Sequence, residues 1–320
     1  MTDMAPVARK ESLRDAYGET LVSLGEADAN LVVLDAGPTG FVYSRAFAAR
    51  FPDRAVVVDP TGPTMMARAA ELSRSTRTVF ANTYAALAAG PAYDPIRRSI
   101  CTGHANVKIV ATHGPTPIDA NGGTPSMMED LGLMRGLPGM TVIVPGDAPT
   151  TRSAVRAVAG FHGPAYLRLA REDLPTVTDG TFVIGRANEL RGGSDLTIIA
   201  IGTLLARALA VADELGRVGI SARVLDLASV KPVDIAGLVR AARDTGAILV
   251  LEEHTVETGI GALVAATTSE NYPVPVRRVG VPDVFAESGE TEAILDHLGL
   301  STSRIMDEAW ELLELRGKVQ

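Results

Sequence analysis

His113 is the residue on which a site can first be placed. It follows an apolar β-type run, Lys108 to Thr112, and opens a polar loop carrying Asp119, Asn121 and the adjacent pair Gly122-Gly123. A strand that ends in a long polar loop before a helix is where open α/β sheets place ligands. Long loops inside compact domains are usually functional or disordered. The loop is expected to close at a helix near Ser126, where Ser126 and Glu129 have capping-box spacing. Asn121 fits either a pocket residue or a turn former beside the two glycines. Asp35, at the end of another apolar run, fits either a site residue or an Asx-type turn. His254 follows Glu252-Glu253 at a strand end in the second half and reads as a structural or interface residue. His104 and His162 read as solvated loop residues, and Trp310 as packing. Cys101 has no paired histidine or elbow around it and reads as a buried apolar filler. No metal-ligand cluster, nucleophile elbow or phosphate loop is found, so no metal ligands are expected on this chain.

The elements that must position these residues alternate. Apolar runs at Leu31–Leu34, Ala55–Val58, Thr78–Ala81, Lys108–Thr112, Thr141–Val144 and Ala165–Leu169 are separated by helical stretches. Near-continuous apolar strands between helices predict a parallel sheet covered on both faces. The first helix is expected over Glu11 to Leu24, and Thr64 can cap a helix reaching Ser73. Gly90-Pro91 should break the helix that begins near Tyr84. From Glu172 to Asp195 the alternation lapses, which reads as a linker with a hairpin-like lead-in. A second alternating unit follows, from the strand Leu196–Ile201 to the strand Val276–Val281, with two helices in the tail.

At 320 residues the chain exceeds one typical core, which predicts two domains. A net charge of −8 argues against broad nucleic-acid binding, which needs a basic face. The single cysteine fits a reducing cytoplasm. No signal-like or membrane-spanning apolar run is read.

Several segments in order resemble the C-terminal half of transketolase, and more closely the separate C-terminal subunit of split transketolases. They are LRDAYGETLVSLGEADANLVVLDA, GPAYDPIRRSI with NVKIVATH, MMEDLGLMRGLPGMTVIVPGDAPTTRSAVRAV and GPAYLRLAR. In the second half they are SDLTIIAIGT, ISARVLDLASVKPVD, LVLEEHTVETGIGALVA and VGVPDVFAESGE. The resemblance implies two doubly wound α/β domains: residues 1–180 as a pyrimidine-binding domain for thiamine diphosphate and 181–320 as a transketolase C-terminal domain. It also implies a transferase subunit that moves a two-carbon ketol or acyl unit. Diphosphate and Mg2+ would be held by a partner subunit with a GDG…N motif, absent here. The expected assembly is an α2β2 heterotetramer with a β–β contact, in the cytoplasm.

The site residues are implied by the same resemblance, with departures. His113 falls on a histidine that contacts substrate, and Arg171 on an arginine that binds a substrate phosphate; a salt bridge with Asp147 or Glu172 is its structural alternative. Tyr84 and Leu87 fall on the segment that flanks the pyrimidine, with Leu87 replacing the stacking aromatic. Gly62 falls on the glutamate that bonds a pyrimidine nitrogen, and Asp59 is the nearest acid in sequence. Asn121 stands where an aspartate reads a sugar hydroxyl, and Pro125 where a histidine contacts substrate. Asp35 is placed among the cofactor-side residues. These changes suggest a specialised substrate, as in secondary metabolism. The alternative is a catalytically degenerate subunit that stabilises or regulates a partner.

Overall fold

The computed structural model describes residues 9–36, 42–58, 62–75, 77–114, 127–285 and 291–319. The first half runs β1 (Lys10–Ser12), α1 (Leu13–Ala27), β2 (Leu31–Ala36), α2 (Arg45–Arg50), β3 (Ala55–Val58) and α3 (Gly62–Ser73). It continues through β4 (Thr78–Tyr84), α4 (Ala85–Ala89), α5 (Tyr93–Pro95), β5 (Val107–Thr112), α6 (Asp130–Gly136), β6 (Thr141–Ile143), α7 (Ala148–Ala159) and β7 (Ala165–Leu169). The second half runs β8 (Asp173–Pro175), β9 (Asn188–Arg191), β10 (Leu196–Ala200), α8 (Leu204–Arg217), β11 (Ala222–Asp226) and β12 (Ser229–Lys231). After these come α9 (Ile235–Thr245), β13 (Ile248–Thr255), α10 (Ile260–Asn271), β14 (Val276–Val281), α11 (Thr291–His297) and α12 (Thr302–Val319).

Among the described residues the strands form two sheets and a short ribbon. The larger sheet has the order β12-β6-β7-β5-β4-β2-β3, the smaller β14-β13-β10-β11-β9, and β1 pairs with β8. Pairings from β6 through β3 are parallel, as are those among β14, β13, β10 and β11. Every residue of β5 and β7 is buried, as expected of central parallel strands covered on both faces. α1 and α7 cover one face, with Leu13, Tyr17, Leu21, Val155 and Val158 packed on Val33, Phe80 and Val110. α3 and α4 cover the other, where the core runs without a break from Met65, Met66 and Ala88 to Ile199, Leu225 and Val250 of the second half. The two-domain α/β architecture therefore shares one apolar seam. No helix among the described residues is long and apolar enough to cross a membrane.

Local chemistry explains several boundaries. Gly90-Pro91 breaks the chain between α4 and α5, as the missing amide and fixed ring of proline require. Ser12 caps α1 by accepting the Asp15 amide at 3.1 Å, and Asp147 caps α7 by accepting the Thr150 amide at 3.0 Å.

Three expectations change, and one strand is new. The helix after the loop starts at Asp130. Glu129 thus precedes the helix, and its carboxylate accepts the Met128 amide at 2.8 Å; Ser126 lies outside the described residues. α3 starts at Gly62, which puts Thr64 inside the first turn instead of before it. The Glu172–Asp195 stretch forms no hairpin: β8 pairs antiparallel with β1, and β9 antiparallel with β11. Finally, β12 leaves the second half to pair antiparallel with β6, capping an edge of the larger sheet.

Candidate functional site

Register brings the site together. Tyr84, the last residue of β4, lies opposite Thr112 of β5, and Thr112 lies opposite Leu169 of β7. The carboxyl ends of three neighbouring strands are therefore flush, and Tyr84, His113 and Arg171 emerge from them side by side. The His113 ring meets the Tyr84 ring edge-on, centroids 4.9 Å apart and planes at 89°. Its Nδ1 lies 2.9 Å from Thr112 Oγ1. The His113 backbone has φ 59, a left-handed conformation that costs a residue with a Cβ about 1–2 kcal/mol.

Burial, and then the positive charges of Arg14 and Arg171, push the His113 pKa down to about 4. The imidazole is therefore neutral near pH 7 and can donate or accept a hydrogen bond without adding charge. Arg14 was missed in the sequence because the helix pattern of α1 counts only its apolar face. It reaches the same place from the first turn of α1. Its guanidinium lies 4.6 Å over the Tyr43 ring, its Nη1 donates to the Tyr43 hydroxyl, and its Nε is buried with no partner. The cluster thus combines two guanidinium groups, a neutral imidazole and two phenols. That set suits a small molecule with an anionic end and neutral oxygens.

Asp35 sits beneath this cluster and is fully engaged. Its Oδ1 accepts Asn82 Nδ2 at 2.8 Å and its Oδ2 accepts the Ser44 hydroxyl at 2.5 Å, while the Tyr17 hydroxyl donates to Asn82 Oδ1 at 2.5 Å. Burial raises its pKa despite these bonds. The network anchors the Val42–Ser44 turn, and with it Tyr43, to the ends of β2 and β4.

Gly62 and Leu87 form a second group. A Cβ on Gly62 would lie 3.1 Å from Ala92 Cβ and 3.1 Å from the Leu87 carbonyl oxygen. Gly62 therefore supplies no acid and has little room for one, while half-buried Leu87 offers an apolar wall. A pyrimidine ring of thiamine diphosphate placed here would meet an apolar wall at Leu87 but no acid at Gly62 to bond its nitrogen. Asp59 and Asn121 lie outside the described residues, as does Pro125. Among the described residues no group of three or more His, Cys, Asp or Glu is placed to hold a metal.

The second half presents its own strand end to the first. Glu252, Glu253 and His254 of β13 are all buried. Glu252 accepts the Ile260 amide at 2.6 Å and the Gly261 amide at 2.9 Å, capping α10 from the strand that precedes it. His254 Nε2 accepts the Gly132 amide at 3.2 Å, which leaves the proton on Nδ1 to donate to the Thr255 carbonyl at 3.0 Å. Burial lowers the His254 pKa and keeps the ring in that neutral form. Arg168 Nη1 donates to Asp130 Oδ1 at 3.2 Å within the first half and, across the seam, to the Glu253 carbonyl at 3.3 Å. The Tyr166 hydroxyl donates to Asp130 Oδ2 at 2.7 Å. The interface reading of His254 agrees with these contacts.

Comparison with known proteins gives the family. Residues 9–177 match the transketolase pyrimidine-binding domain, and residues 185–305 the transketolase C-terminal domain. The chain is 36% identical over 304 residues to the 6-deoxy-6-sulfo-D-fructose transketolase subunit of Clostridium sp. (strain MSTE9), covering 94% of each. It is 34% identical over 304 residues to one of the subunits of the apulose-4-phosphate transketolase of Phocaeicola vulgatus, covering 94% of this chain and 97% of that one. A solved split-gene transketolase, described as an inactive beta4 tetramer, superposes with a TM-score of 0.89 at 42% identity, covering 95% of this chain and 99% of that one.

Proposed function

This chain belongs to the transketolase family, and we propose that it is the C-terminal subunit of a split, thiamine diphosphate-dependent transketolase that moves a two-carbon ketol unit. The convergence of Arg14, Arg171 and neutral His113 on the ends of adjacent strands carries this reading. When bound, the cofactor supplies the electron sink that such a transfer needs. The chain's own residues then have separable tasks. His113, pinned edge-on by Tyr84, bonds a substrate hydroxyl or carbonyl. Arg171 and Arg14 hold an anionic end, with Arg14 set by Tyr43. Leu87 walls the ring, and Gly62 leaves the activating position without an acid, so that activation falls to Asp59, water or the partner subunit. Asn121 contacts substrate from the loop, and Asp35 supports the cofactor side by fixing the turn that carries Tyr43.

The diphosphate and its Mg2+ belong to an N-terminal partner subunit in an α2β2 complex with a β–β contact, in the cytoplasm. The relatives named for sulfofructose and apulose phosphate, both sugars with an anionic end, support a specialised ketose as substrate. The boundary between the two domains is placed near residue 180. Co-purification with a partner carrying GDG…N, followed by titration of thiamine diphosphate and Mg2+, tests the reading. Cofactor-dependent turnover of a phosphorylated or sulfonated ketose is expected. A complex that binds cofactor yet turns over no ketose phosphate, ketose sulfonate or 2-oxo acid would replace it with the second reading, a degenerate stabilising subunit, which Gly62 favours.

A further inference from the structure

The described residues stop at Gly114, just after His113, and resume at Met127. The described chain on each side meets one buried pair of side chains. A Cβ on Gly114 would lie 3.3 Å from Arg168 Cδ, 3.5 Å from Asp130 Oδ2 and 2.8 Å from Ala85 Cβ. Gly114 is therefore seated directly on the Arg168–Asp130 pair, with space only for a glycine. On the other side Asp130 is itself the first residue of α6. Asp130 is 0% exposed and Arg168 2%. Tyr166 occupies the remaining Asp130 oxygen, and the Glu253 carbonyl takes a second bond from the same Arg168 nitrogen. Next along the chain, the Thr255 amide donates to the Met128 carbonyl at 2.9 Å and His254 holds the Gly132 amide.

We propose that the Arg168–Asp130 pair, backed by Tyr166 and the Glu253 carbonyl of the second half, is a clip that holds Gly114 and the start of α6 together, and that Arg168, Asp130 and Tyr166 are positioning residues for His113. The physical need is clear from the backbone. His113 holds a left-handed conformation that its side chain disfavours, and such geometry persists only where the surroundings over-determine it. Gly114 pressed between Ala85 and the ion pair supplies that constraint. A buried ion pair is weak evidence for stability, because desolvation offsets its attraction. Fixing two chain ends in one arrangement gives it a task that an apolar replacement would not perform. The inference uses the proposed function only in treating His113 as the site histidine; the geometry of the clip does not depend on the substrate.

The test is therefore made on the full chain without turnover. The groups whose charge depresses His113 are Arg14 and Arg171, not Arg168. A change at Arg168 therefore reaches the ring through its position and burial. Arg168→Met should raise the His113 titration midpoint, followed by NMR of the imidazole, by at least about one unit toward the ordinary value near 6.5. Asp226→Asn, elsewhere in the seam, should leave that midpoint unchanged. Tyr166→Phe removes only the hydroxyl on Asp130 and should move it the same way by a smaller amount; this variant decides the matter if Arg168→Met does not fold. A lowered melting temperature with an unmoved His113 midpoint in the folded variants would overturn the clip. Loss of ketose turnover in His113→Ala complexes bears on the proposed function alone, so the two ideas fail separately.

Discussion

The two sheets of this chain end very differently at their carboxyl edges. The larger sheet ends in Tyr84, His113 and Arg171, joined by Arg14 and Tyr43, with aromatic contacts and positive charge. The smaller ends in buried Glu252, Glu253 and His254, where Glu252 and a neutral His254 are bonded to backbone groups and Glu253 Oε1 has no partner. Both edges gather ionisable side chains at a place where α/β sheets bind ligands. The first gathers positive charge around a neutral imidazole. The second uses its capacity on α10 and α6, and so becomes a joint. Strand-end polar residues thus serve different ends in the two halves, a charged cluster in one and a joint in the other.

Breaking the joint should have the largest effect. Glu252→Ala leaves the buried amides of Ile260 and Gly261 without a partner and should cost on the order of 2–5 kcal/mol, read from denaturant midpoints. The surrounding backbone is fitted to this carboxylate, since a Cβ on Gly259 would lie 1.8 Å from its Oε2. A loss below about 0.5 kcal/mol would mean the joint is held elsewhere.

Changing the site should separate stability from activity. His113→Gly removes the imidazole and relieves the left-handed backbone. Stability should hold or rise by about 1 kcal/mol, while turnover of the assembled enzyme falls by roughly 10²-fold or more. Equal losses of both would erase the distinction between the two edges.

A smaller, pH-dependent effect should appear at Asp226. Burial, then the nearby Asp147 charge, push its pKa up to about 8, and its Oδ1 has no partner. The folded state keeps this proton more tightly than the unfolded one. Its stabilising contribution is complete below the unfolded value near 3.9 and is lost as pH rises toward about 8. Asp226→Asn should therefore gain on the natural chain in melting temperature between pH 5 and about 8. A difference that stays flat over that range would show the acid ionised in the fold. The smallest effect belongs to Arg217→Ala, which removes an exposed pair with Glu214 and should shift stability by less than about 0.5 kcal/mol.

Much of the architecture was legible because parallel strands and amphipathic helices have strong periodic signals. β3, β7 and β14 begin and end where the sequence pattern places them. β12 was not legible: three residues carry too little periodicity, and their partner lies in the other half of the chain. His113 was legible as a strand end, while Tyr84 and Arg171 were singled out by the family resemblance; the fold brings the three together. Arg168 could have been suspected on one ground, a lone charge in the apolar run AYLRL, which must find a partner when buried. Nothing in the sequence names Asp130 as that partner, because the pairing depends on how α6 docks. The contacts of Asp35 were likewise hidden, since Asn82 and Ser44 carry no pattern that links them to it.

The excursion of β12 into the larger sheet bears on how this chain can be cut. Without Ser229–Lys231, β6 would present its outer backbone groups to solvent, and a bare sheet edge recruits other chains. A fragment ending near residue 180 would be an adhesive particle, prone to stack edge to edge. A chain nicked between β8 and β9 would instead stay whole, held by a strand already laid across the break. Gene fusions and truncations of this subunit should keep that crossing intact.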